Sequence, residues 1–161
     1  MLRTALSLGL IASIFSLSCT NPSVVDIVFE CPSPSGAAKA VFWVEGGGGA
    51  AGWMQGYLAV VAATLDIGSQ LPGFPRSGGR VFEARHGFTL KVNWQDDNRL
   101  LVEYPDSAVL DYAVPAVLLA SRSQINIAYN SVVSDGNDGL PGGSSCRNRG
   151  VLVPTVNRKL R

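Results

Sequence analysis

The chain has 161 residues, enough for one domain with a core that folds alone. Hydrophobic residues make up 47% of it and charged residues 16%, with 18 glycines, which excludes a disordered chain. The formal charge is +1. Removing residues 1–18 takes away Arg3 alone and leaves twelve basic against twelve acidic side chains, so no basic field argues for a nucleic-acid partner.

Residues 1–18 read MLRTALSLGLIASIFSLS. Arg3 supplies a positive n-region, and Leu6 to Leu17 is an uncharged apolar run, the plan of a secretory signal. The run is shorter than the about 20 apolar residues of a spanning helix. Ser16-Leu17-Ser18-Cys19 resembles a bacterial lipobox, where a peptidase cuts before an acylated cysteine. Ser16 stands where the usual box has Leu, and Leu17 follows it. The resemblance implies lipidation at Cys19, a tether over 19–23 and membrane attachment through the lipid. Acyl chains at about 0.8 kcal/mol per buried CH₂ hold a soluble domain on a membrane without a spanning helix. Thr20, in place of the Asp that marks inner-membrane retention, favours the outer membrane in a cell that has two. The alternatives are ordinary signal cleavage nearby and an uncleaved anchor.

With Cys19 assigned to lipid, Cys31 and Cys146 remain, an even number for an oxidising compartment. A bridge between them would close most of a single β domain over 24–153. Loop entropy puts its contribution at up to about 4.7 kcal/mol for a loop of about 100 residues. Two free thiols or a metal site are the alternatives. One histidine and no CxxC pair speak against zinc, and no cofactor is expected.

From Val24 the chain reads VVDIVFEC, with Val25, Ile27, Phe29 and Cys31 on one parity, a half-buried strand with Cys31 inward. Cys-Pro-Ser-Pro-Ser-Gly ends it as a turn. Ala38 to Glu45 alternates again, with Ala38, Ala40, Phe42 and Val44 on one face and Lys39, Val41, Trp43 and Glu45 on the other. Four glycines follow, and Gly46 to Gly52 reads as a loop. Gln55 to Leu65 is apolar on both parities and reads as a central strand covered on both sides, with a short helix as the alternative. Asp66 to Gly79, rich in glycine and proline, reads as loop.

Arg80 to Arg85 is a short strand, and His86-Gly87 a tight connection. Phe88, Leu90, Val92 and Trp94 face one way, Asp96-Asp97-Asn98 turns, and Leu100, Val102 and Tyr104 alternate with Arg99, Leu101 and Glu103. That is a β-hairpin with one wet and one dry face. Ala108 to Ala120 fits a helical face through Val109, Tyr112, Ala113, Ala116, Val117 and Ala120, but Pro115 interrupts it, and the preferred reading is extended with a break there. Gln124 to Val133 alternates cleanly, turn chemistry runs to Cys146, and Val151 to Val153 suits an edge strand before a basic tail over 154–161. The total is seven to eight short strands in an all-β domain, an antiparallel β-sandwich or a strongly curled antiparallel sheet.

Candidates for chemistry are few. His86 is the one histidine, and its place in a turn is that of a surface residue. No GxSxG elbow is present. Asp96 and Asp97 suit a hairpin tip better than a converging carboxylate pair. Asp135-Gly-Asn137-Asp138-Gly139 departs from a calcium loop in its glycine spacing and in having Cys146 where the closing Glu belongs. Gly46, Gly47, Gly48 and Gly49 lack the GK[ST] and the helix of a phosphate loop. Trp43 and Trp53 flank them, and exposed indoles stack on sugars or rest at a membrane interface.

Ser33-Pro34-Ser35-Gly36, Lys39-Ala40-Val41-Phe42 and Gly46 to Gly49 resemble a family of small bacterial envelope proteins. Its members open with SPDG…KAVVF…GGGAT and continue with G-N-V-F and W-x-D…L-x-I-x-Y. Here Gly79-Arg80-Val81-Phe82, Trp94-Gln95-Asp96 with Leu100 to Tyr104, and Ile125-Asn126-Ile127-Ala128-Tyr129 follow in order. Ser35 replaces the family's Asp, and Ala50-Ala51 its Ala-Thr. The resemblance implies a lipid-anchored or single-anchor protein facing the periplasm or cell exterior, and it carries over no catalytic residue. The expectation is a non-enzymatic binding or structural domain with an envelope protein or glycan as partner. The alternatives are an envelope hydrolase using His86 and a glycan-binding module using Trp43 or Trp53.

Overall fold

The computed structural model describes residues 24–47, 52–71, 73–86, 89–133 and 146–148. Among them are strands β1 (Val24–Pro32), β2 (Ala38–Gly47), β3 (Trp53–Ala62), β4 (Arg80–Arg85), β5 (Lys91–Asp96), β6 (Arg99–Pro105), β7 (Val109–Ala113), β8 (Ala116–Leu118), β9 (Gln124–Val132) and β10 (Arg147–Asn148), and no α-helix. They form two sheets, one ordered β10-β1-β2-β3-β4-β7 and the other β5-β6-β9-β8. The protein is an all-β sandwich.

The core between the sheets is set by alternation. Ala38, Ala40 and Phe42 of β2, Leu58 and Val60 of β3, and Phe82 and Ala84 of β4 meet Val92 and Trp94 of β5, Leu100 and Val102 of β6, and Ile125 and Ile127 of β9. Phe29 stacks on Phe42 with ring centroids 5.2 Å apart. Two polar ties cross this core. The Trp94 indole N–H donates to the Cys31 carbonyl at 3.0 Å, and the Tyr129 hydroxyl sits 2.7 Å from the Val81 carbonyl and 3.0 Å from that of Val114. Burial pushes the Tyr129 phenol far above its ordinary value, so it stays a donor.

The larger sheet is covered on its second face as well. Val41, Trp43, Tyr57, Ala59 and Val61 point away from the main core into a second cluster with Ile67 and Phe74. Residues 63–71 and 73–79, with two short 3₁₀ turns at Gly68–Gln70 and Arg76–Gly78, lie over that face. This explains why β3 is apolar on both parities. Gly79 closes the segment at φ +114°. Its carbonyl accepts from the Val60 N–H at 2.9 Å, and a Cβ there would lie 2.5 Å from the Val60 carbonyl oxygen. Only glycine fits that approach.

The structure corrects several expectations. Gly46 and Gly47 are not loop; they extend β2 and pair with Met54 and Trp53 of β3. The ladder partners supplied by β3 offset the entropy lost at two glycines. Ile27 does not share the inward face of Phe29 and Cys31. A register shift between Ile27 and Phe29 turns Ile27 to the second cluster and brings Val28 against the main core. β4 and β5 are not neighbours in one sheet, so His86 marks a crossover between sheets and not a hairpin tip. β6 and β9 pair in parallel, Arg99 opposite Asn126 through Pro105 opposite Val132, in a sandwich whose other ladders are antiparallel. Ala108 to Ala120 forms two strands, β7 and β8, with the break at Val114 and Pro115. The Arg147–Asn148 pair occupies the edge beside β1. Val151 to Val153, Asp135 to Gly139 and the tail over 154–161 lie outside the described residues.

Candidate functional site

The register of β2, β3 and β4 gathers the sequence's candidates at one end of the larger sheet. Gly47 pairs with Trp53, Gly46 with Met54, and Gln55 with Arg85, the last residue of β4, which His86 follows. Trp53 is 46% exposed. Its indole lies on the Gly47 backbone, so a Cβ at 47 would come within 3.3–3.4 Å of Nε1, Cε2 and Cζ2. A side chain at 47 would crowd the ring, and glycine lets it lie flat.

Gly52, Trp53, Met54, Arg85 and His86 line a shallow groove of about 350 Å³ here, within the range of about 300–1,000 Å³ typical of small-ligand sites. The Arg85 guanidinium is held in place by Asp111, Nε to Oδ2 and Nη2 to Oδ1 both at 3.1 Å, and Gln55 Nε2 donates to the same Asp111 Oδ2 at 3.2 Å. His86 is exposed and left-handed at φ +58°. A non-glycine residue in that region carries about 1–3 kcal/mol of strain, which local structure must hold. Among the described residues its imidazole makes no hydrogen bond to an acid or hydroxyl, so no base–nucleophile pair forms around it.

Trp43 does not belong to this site. It is fully buried, stacked on Tyr57 at 5.3 Å and edge-on to Phe74 at 6.0 Å, with its N–H donating to Glu45 Oε1 at 3.0 Å. The cover formed by residues 63–71 and 73–79 removes it as a binding platform. The candidates Gly46, Gly47 and Trp53 come together; Gly48, Gly49 and Cys19 lie outside the described residues.

Two charged features were not visible in the sequence. Glu83, 4% exposed, takes a fork from Arg76, Nε to Oε1 at 2.8 Å and Nη2 to Oε2 at 2.9 Å, plus Arg80 Nη1 to Oε1 at 2.9 Å. The hydrogen bond from Arg76 holds the Glu83 carboxyl below the usual carboxylate range, against its burial. Arg80 also donates to the Phe74 carbonyl, lies 4.9 Å over the Tyr57 ring, and Arg76 lies 4.4 Å over Tyr112. With both oxygens engaged by guanidinium groups, Glu83 is a clamp for the 63–79 segment and not an acid or base for chemistry. At the opposite end, Asp97 Oδ1 accepts from the Ser35 N–H at 2.8 Å, a bond that lowers the Asp97 carboxyl's pKa. It joins the β5–β6 turn to the Ser-Pro-Ser-Gly turn.

Cys31 and Cys146 sit at disulfide distance, with Cα atoms 4.1 Å apart and 115 residues between them in sequence. No cluster of three or more His, Cys, Asp or Glu side chains that could hold a metal occurs among the described residues, and no helix there is long and apolar enough to cross a membrane.

Fold and site therefore define a two-sheet β-sandwich with a cysteine pair at disulfide distance and an aromatic groove at one end. Comparison of the chain with protein-family models, with curated proteins and with solved structures finds no match.

Proposed function

We propose that this chain is a lipid-anchored, non-enzymatic domain of the bacterial cell envelope, facing the periplasm or cell exterior and binding another envelope component. The observation that carries this reading is the pairing of Cys31 with Cys146. A bridge of that kind persists in oxidising compartments outside the cytoplasm. It leaves Cys19, which follows a signal-like segment, as the third cysteine and the acceptor for lipid. The likeness to small bacterial envelope proteins supports the same location.

A fatty acid carrying a click-reactive group, fed to cells expressing the full chain, tests the anchoring. The expected result is incorporation into the wild type and none into Cys19→Ala. A wild-type protein that takes up no label would refute it. The glycan-binding reading retains one observation in its favour, the half-exposed Trp53 ring in its groove. The hydrolase reading has no partner for His86 among the described residues.

A further inference from the structure

We infer that the end of the sandwich carrying Trp53 is a membrane-seating surface, with Trp53 and Met54 entering the lipid interface beside the acylated Cys19. This rests on the anchoring proposed above. Strand register carries the geometry. Val24, the first residue of β1, pairs with Gly46. Gly46 pairs with Met54 and Gly47 with Trp53. In the adjoining row, Gln55 pairs with Arg85 and Arg85 with Val109. The point where the chain enters the domain is therefore the same end of the larger sheet as Trp53, Met54 and Val109.

The smaller sheet contributes to this end too. Pro105 of β6 pairs with Val132 of β9, and the short segment Asp106-Ser107-Ala108 leads from Pro105 directly to Val109. Val133 follows Val132 and belongs here. Large apolar side chains are exposed at Trp53, Met54, Val109, Leu110, Leu118 and Val133 among the described residues. All except Leu118, which pairs with Gln124 toward the opposite end, gather at the end where β1 begins. Scattered apolar residues on a surface need no explanation, but a cluster on one end marks a contact.

The tether states what covers it. From Cys19 to Val24 is a span of five residues, at most about 18 Å when fully extended. Acyl chains on Cys19 lie in the bilayer, so Val24 and the row beside it stay within that distance of the headgroups. Tryptophan is a side chain that settles at the membrane–water boundary, apolar ring inward and N–H toward the headgroups. Charge does not drive the contact. Arg85, His86 and Lys91 stand at this end, but so do Glu45, Glu103, Asp106 and Asp111, and Arg85 is engaged by Asp111. The seating is apolar, and its strength does not depend on anionic lipid or fall with added salt.

The test uses the full-length acylated protein, extracted in detergent, checked by mass for lipid on Cys19, and reconstituted into phosphatidylcholine vesicles whose acyl chains carry bromine. Trp43 and Trp94 lie in the two cores, so bromine quenching reports on Trp53. The expected result is a loss of emission relative to unbrominated vesicles, unchanged between low and high salt and absent in Trp53→Phe. Acylated protein whose emission is the same in both vesicle types overturns the inference and leaves the anchoring intact. Emission unmoved by bromine but shifted by soluble sugar oligomers also overturns it, in favour of a glycan site. A mass without lipid at Cys19 refutes the anchoring first.

Discussion

The two ends of the sandwich are built to opposite rules. At one end the sheets are tied together. The Trp94 N–H reaches the Cys31 carbonyl across the sandwich and Asp97 holds the Ser35 turn, while within the larger sheet Cys31 meets Cys146 beside β10. At the other end β1 begins, the β2–β3 ladder finishes on Gly47 and Trp53, and exposed apolar side chains cluster. Ties of the first kind stabilise a fold. An exposed tryptophan laid on a glycine contributes little to folding, and the membrane contact proposed above would account for its place. Ties within the fold and exposed apolar side chains are thus segregated along one axis.

The largest expected effect is at the tied end. Replacing both Cys31 and Cys146 with Ser should destabilise the domain by about 4 kcal/mol, the scale of a bridge that closes most of the chain. Urea unfolding of the oxidised wild type against the double variant measures this. A loss well under about 1 kcal/mol would mean that this end is not where the fold is held.

Trp94→Phe comes next. It removes the cross-sheet hydrogen bond to the Cys31 carbonyl and part of a buried ring, at a cost of about 1–3 kcal/mol by the same unfolding measurement. Because Trp94 and the disulfide share Cys31, their effects should not add: the triple variant should lose measurably less than the two losses combined. Additive losses would separate two ties that the geometry joins.

The smallest effect is at the open end. Trp53→Ser should change folding stability by no more than about 0.5 kcal/mol, since half of the ring already faces solvent. A loss near that of Trp94→Phe would make Trp53 a structural residue and dissolve the contrast between the ends.

Much of this architecture was legible in the sequence, and for a local reason. β5, β6 and β9 have one wet and one dry face, so their period of two is written in LKVNWQD, RLLVEY and QINIAY. The strands of the larger sheet say less, because both faces are covered. In VVDIVFEC one parity, Val25 to Cys31, reads as inward throughout, and nothing marks the register shift after Ile27 that splits it. The cover itself was hidden. Ile67 and Phe74 stand singly among glycines, prolines and polar residues, so residues 66–79 read as plain loop.

The parallel pairing of β6 with β9 left no trace, since a ladder between residues some 27 apart is set by topology and not by spacing. The site was half legible. Trp43 and Trp53 flank the same glycines and look equivalent in sequence. What separates them is which one lies under the 63–79 segment. The Arg76–Glu83–Arg80 clamp that helps hold that segment in place joins residues whose charges looked unremarkable one by one.

The measurement that bears most directly on the account is the intact mass of the protein extracted from membranes, taken before and after reduction. The prediction is a chain beginning at Cys19, heavier by its acyl groups, that gains two hydrogens on reduction as Cys31 and Cys146 open. An unmodified chain recovered from the soluble fraction, or one whose mass reduction leaves unchanged, would contradict it.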